Sequence, residues 1–172
     1  MKNAVITLLV AGIAFLGFSA ISGSETPFAQ LSSLKTQIPT KEASAVKLET
    51  TDGKSGIDVA ESTKVTIKDS GSYFIMASGQ VGAQKNASSA DGYVDLWLIQ
   101  NDKNVANSNT RQYISQNQFT AVLVSQAIIS LNAGDTISVG YSASKPSLGL
   151  VATEATAAEP AIPSIIFSIY KI

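Results

Sequence analysis

The chain has 172 residues, with 12 Lys and Arg against 13 Asp and Glu, a formal charge of −1, and neither His nor Cys. That inventory removes thiolate nucleophiles, imidazole bases, disulfide staples and nearly every transition-metal site. The basic residues are scattered and not interleaved with aromatics, so nothing in the pattern suits a nucleic acid partner.

Met1-Lys2-Asn3 is a short positive start, followed by an uncharged apolar run over residues 4–20, a polar stretch to Thr26, and Pro27-Phe28-Ala29. This is the layout of a secretory signal peptide, read here as residues 1–29. A small residue is wanted at the cut, which favours Ala29, with Ala20 as the alternative. Seventeen residues fall short of the roughly 20 that span a bilayer, so the membrane is a partner only if the signal stays uncleaved. The expected location is secreted or extracellular, free or held at the cell surface. What remains is enough for one domain that buries about two-thirds of its unfolded surface.

Residues 30–63 are rich in Ser, Thr, Lys and Gln, with Leu31, Leu34, Ile38, Val46 and Leu48 spaced singly. They read as an extended polar arm or stalk, with a first short strand at residues 45–49. The alternative is that Leu31, Leu34 and Ile38 form a strand donated to a neighbouring subunit.

From Lys64 the period becomes two. Val65 and Ile67 alternate with Thr66 and Lys68, Asp69-Ser70-Gly71 makes a turn, and residues 73–81 are a long β-prone run. The following loop, residues 82–92, carries Asn86-Ala87-Ser88, a glycosylation acceptor triplet. Residues 93–99 place Val94, Leu96 and Leu98 on one face and Tyr93, Asp95, Trp97 and Ile99 on the other. Bulk on both faces predicts a central strand packed on two sides, with Trp97 in the core. Asn101-Asp102-Lys103-Asn104 is a turn by composition.

Residues 119–131 and 137–141 flank Ala133-Gly134-Asp135, where Gly tolerates positive φ and Asp can bond its own turn amides. A hairpin is predicted there. A long loop with Pro146, Pro160 and Pro163 precedes the final apolar run, residues 165–172. Helical periodicity is absent after the signal, so the expected class is all-β: an antiparallel two-sheet jelly-roll sandwich over residues 64–172.

Asp91 and Asp95 flank Gly92-Tyr93-Val94 and are weak calcium candidates, short of the six to eight oxygens such a site wants. They are also the one close carboxylate pair available to a hydrolase. The plainer reading puts Asp91 in a turn and Asp95 on a strand face. No catalytic residue and no cofactor is assigned, and the chain is not read as an enzyme.

The order of these elements resembles a known family. Gly71 and Tyr73 match its Gly-x-Tyr strand, and Ile129, Leu131, Gly134, Asp135, Ile137 and Val139 match its most specific phrase. Residues 98–104 match a leucine-bearing strand and turn without the usual Gly, and residues 164–172 match its last strand. The pattern is similar to the jelly roll of the complement component one (q subcomponent) globular head, the tumour-necrosis-factor ligands and the C-terminal domain of the collagen-like spore-surface glycoprotein. No Gly-X-Y repeat precedes it here. The resemblance implies a homotrimer and admits calcium on a trimer axis.

The final run itself implies association, because Ile165, Phe167 and Ile169 share one face while Ile166 and Tyr170 occupy the other. Without disulfides, that surplus apolar surface is expected to be covered between subunits, with Tyr73, Phe167 and Tyr170 at the contact. The expected function is a secreted, non-catalytic trimeric module for binding or adhesion, taking an extracellular protein or glycan. The alternative is a structural subunit of a filament or coat assembled through its arm.

Overall fold

The computed structural model describes residues 26–39, 42–85, 87, 91–115 and 120–172. The apolar run with Ala20, and the acceptor Asn86, lie outside the described residues. In chain order the strands are Phe28–Ser33 (β1), Ser44–Ala45 (β2), Thr50–Ser55 (β3), Ile57–Glu61 (β4), Lys64–Ile67 (β5), Gly71–Ala83 (β6), Gly92–Gln100 (β7), Lys103–Asn104 (β8), Thr110–Ile114 (β9), Thr120–Leu131 (β10), Thr136–Ala143 (β11), Leu148–Leu150 (β12) and Ile165–Lys171 (β13). One sheet runs β10-β6-β13-β1-β3, with β12 also paired to β6. The other runs β4-β5-β11-β7-β8, with β2 paired to β11 and β9 to β7.

Period-two side-chain alternation builds the sandwich from these strands. In β6, Tyr73, Ile75, Ala77 and Val81 point inward while Phe74, Met76, Ser78 and Gln80 point out. Val94, Leu96 and Leu98 of β7 meet them from the second sheet, with Ile137, Val139 and Tyr141 of β11 beside them. From β13 come Ile165, Phe167 and Ile169, all fully or nearly fully buried.

The jelly roll begins at Phe28 rather than Lys64, which corrects the expected arm. β1 lies between β13 and β3 as an interior strand of its own sheet. Its disguise is polar. Ser33 is fully buried, and its hydroxyl donates to Glu49 Oε2 at 2.8 Å. Ser32 donates to Asp52 Oδ1 at 3.1 Å. The Gln37 amide replaces a sheet pair, donating to the Lys47 carbonyl at 2.9 Å and accepting from the Lys47 N–H at 2.8 Å. Such satisfied polar groups make these segments part of the fold while hiding them from a hydropathy pattern. A cut after Ala29 would remove Phe28 and the buried Ala29 from β1; a cut after Ala20 would leave the strand whole.

The expected Ala133-Gly134-Asp135 hairpin is a crossover. β10 pairs with β6 in one sheet, whereas β11 pairs with β5, β7 and β2 in the other. Gly134 takes φ +93°, and the turn docks on the neighbouring crossover from β5 to β6. The Gly134 N–H donates to the Ile67 carbonyl at 2.8 Å, the Ile67 N–H to the Asp135 carbonyl at 2.9 Å, and the Ala133 N–H to Ser70 Oγ at 2.9 Å. The Asp135 carboxylate accepts from Asn101 Nδ2 at 2.8 Å, the Asn132 N–H at 2.8 Å and Gln100 Nε2 at 3.1 Å. These donors, Asn101 foremost, hold its carboxyl below its usual range.

A two-residue hairpin lies at Asn101-Asp102, where φ values of 49° and 61° suit a type I′ turn joining β7 to β8. The proline-bearing loop is also less loose than its composition implies. It contains β12, whose Leu148 and Leu150 are fully buried and extend the pairing of β6.

Candidate functional site

The sandwich leaves two outer faces, and the register shows what each carries. Across the first sheet, Phe28 of β1 stands opposite Tyr170 of β13, Tyr170 opposite Phe74 of β6, and Phe74 opposite Ile128 of β10. An apolar row therefore crosses four strands. Phe28 is 40% exposed, Tyr170 44% and Ile128 64%, and the Phe74 and Tyr170 rings pair at 5.3 Å between centroids. A second line, Ile166 opposite Ser78 opposite Val124, adds two more exposed apolar side chains on this face. Exposed apolar rows of this extent mark interaction surfaces in soluble proteins.

The three expected interface residues separate here. Tyr170 is on this face. Tyr73 and Phe167 point into the sandwich and are fully buried within the single chain, so they do not line a contact between copies. Tyr73 donates its hydroxyl to the Asp69 carbonyl at 2.7 Å, and burial pushes its phenol above the usual value. Phe28, Phe74 and Ile128 become neighbours only through pairing of strands far apart in the chain, which no local sequence pattern signals.

The outer face of the second sheet is different. Asp95 is nearly buried there and accepts from Arg111 Nε on Oδ1 and Arg111 Nη2 on Oδ2, both at 2.7 Å. The guanidinium also lies 3.7 Å over the Tyr93 ring, and Tyr93 packs edge-on to Tyr113 at 5.8 Å. Asp95 foremost, then a hydrogen bond to Tyr113, raises the Arg111 pKa further above its usual value.

Trp97 faces outward on the same side, not into the core as expected. A Cβ at Gly140 would fall 2.5 Å from Trp97 Cε2 and 2.7 Å from Nε1, so the indole lies flat on the glycine backbone. Its Nε1–H donates to Asn104 Oδ1 at 2.9 Å, fixing the ring in place. Both carboxylate oxygens of Asp95 are engaged by Arg111, and Asp91 stands just before β7. Among the described residues no three His, Cys, Asp or Glu side chains gather as a metal-ligand group. Of the two carboxylates considered for calcium or hydrolysis, Asp95 is held in an ion pair with Arg111.

No protein-family model matches the chain, and no curated protein matches it in sequence. Solved structures do. The globular domain of zebrafish complement 1qA protein superposes with a TM-score of 0.59 at 14% identity, over 86% of this chain and 98% of that one. Murine APRIL superposes at 0.55 in its pH 8.5 structure and 0.56 in its pH 5.0 structure. In both cases identity is 12%, and the match covers 86% of this chain and 100% of the other. The described residues thus adopt the jelly roll shared by the complement component one (q subcomponent) globular head and the tumour-necrosis-factor ligands.

Proposed function

We propose that the chain is the globular subunit of a secreted, non-catalytic homotrimer that binds or adheres outside the cell or at its surface. The observation that carries this reading is the row of Phe28, Tyr170, Phe74 and Ile128 on the outer face of the first sheet. The row is too apolar to remain in water in a chain without disulfides, and covering it between copies stabilises both fold and assembly. The fold likeness supports threefold symmetry, and the signal-like start supports export. A trimer also multiplies weak single-site binding by avidity. Its ligand is an extracellular protein or glycan.

Electron microscopy of the purified protein over a range of concentrations tests this. Discrete threefold particles are expected. Fibres that lengthen with concentration would replace the reading with that of a filament or coat subunit. That alternative relied on a free arm, whereas β1 already fills the slot between β13 and β3 of its own chain.

A further inference from the structure

We propose that each copy covers the apolar face of the next with its own edge strand β10, laying Ile128, Gln126 and Val124 along Tyr170, Ser168 and Ile166 of the neighbour's β13. This deepens the trimer reading by naming the surface that fills the face, and it rests on that reading.

A closed threefold ring is made of heterologous contacts, so the patch covered on one copy meets a different patch on the next. The covered patch restricts what that partner can be. No side chain on the outward positions of β1, β13, β6 and β10 is charged, and charge begins only at β3, where Asp52 accepts from Ser32. An occupant that brought a charge onto this face would bury it unpaired.

The chain offers one edge that meets the condition. β3 carries Asp52 and Lys54, β4 carries Asp58 and Glu61, β8 carries Lys103 and β9 carries Arg111. β10 ends the first sheet with 12 residues that include no charge, no Pro and no Gly. Charge, Pro and brevity are what keep a sheet edge from receiving another chain, and β10 has none of them. Its Val122 and Ile128 are the most exposed large apolar side chains in the strands of that sheet.

Register decides how edge and face meet. A rotation about an axis along the strands keeps each residue at its own height, and pairing through β6 gives Ile128 the height of Tyr170, Gln126 that of Ser168 and Val124 that of Ile166. Both lines therefore read apolar, polar, apolar. Ile128 lands on the Tyr170 ring, the Gln126 amide on the Ser168 hydroxyl and Val124 on Ile166. A slip of two residues would press Gln126 against Tyr170 or Ile166 and leave its amide without a partner.

The chain has no cysteine, so introduced pairs report on this contact alone. Gln126→Cys with Ser168→Cys sets two thiols two strands apart within one chain, about 10 Å, which is beyond the ~7 Å limit between Cα atoms for a disulfide. Oxidation of the full-length double variant should give covalent dimers and trimers and nothing larger on gels run without reductant. Either single variant should stay unlinked, because a heterologous contact keeps like residues apart. Val124→Cys with Ile166→Cys is a second aligned pair and should link in the same way. Val124→Cys with Ser168→Cys, about 7 Å out of register, should link about tenfold more slowly. A natural protein that is a trimer while neither aligned pair links overturns the edge assignment and leaves the trimer standing. Linking by a single variant, a ladder that runs past three chains, or equal rates for aligned and offset pairs also overturns it. A natural protein with the mass of one chain refutes the trimer itself.

Discussion

Tyr170→Asp is the substitution that separates packing within the chain from packing between copies. A tyrosine side chain buries about 200 Å² when fully covered. Tyr170 keeps 44% exposure in the single chain, leaving roughly 90 Å² for a neighbour, or about 2 kcal/mol per copy at ~25 cal/mol per Å². Three copies lose about 6 kcal/mol, roughly four decades in the assembly constant, before the cost of burying a carboxylate is added. Within one chain the main loss is the ring pair with Phe74, about 1 kcal/mol, which lowers the melting temperature by a few degrees. Sedimentation velocity should therefore find a folded monomer for the variant and a trimer for the natural sequence. A Tyr170→Asp protein that sediments as the natural one does, with the same dissociation on dilution, would refute the assignment of this face to the contact.

Phe167→Ala should cost about 3–5 kcal/mol by thermal melting, and by the same amount at every protein concentration, because the ring is fully buried inside one chain. A concentration-dependent loss would return Phe167 to a subunit contact. Asp135→Asn should lower the melting temperature most at neutral pH. The Asp135 pKa is depressed in the fold, so its contribution is present above the unfolded value near pH 4 and is lost as pH falls through the folded one. A melting difference independent of pH would contradict the role of its three donors. Gly140→Ala should lift the indole off the sheet and break its bond to Asn104, red-shifting the emission of Trp97 at a stability cost of about 1 kcal/mol. An unchanged spectrum would rule out the flat stacking.

Strands whose apolar residues alternate, such as β6, β11 and β13, were legible from the sequence because period two reports directly on a two-layer core. β1 was not, since its inward and edge positions include Ser32 and Ser33, satisfied by acidic residues more than a dozen positions away. The Gly134 turn was recognisable as a turn, but local chemistry does not say whether the next strand folds back onto its own sheet or crosses to the other. β10 and β11 part company because each finds a better partner elsewhere, β10 on β6 and β11 on β7. For the candidate surfaces, Asp95, Trp97 and Tyr170 stood out in sequence, whereas Arg111, Phe74, Phe28 and Ile128 acquired meaning only from register. Local pattern puts Trp97 in the core, whereas its ring lies outside over a glycine 43 positions on, which no local pattern announces.

The central claim, that this jelly roll covers its first-sheet outer face with further copies of itself, is tested most directly by the solution mass of the purified protein. Light scattering across a dilution series into the micromolar range should return three times the mass of one chain. A mass of one chain throughout would contradict the account.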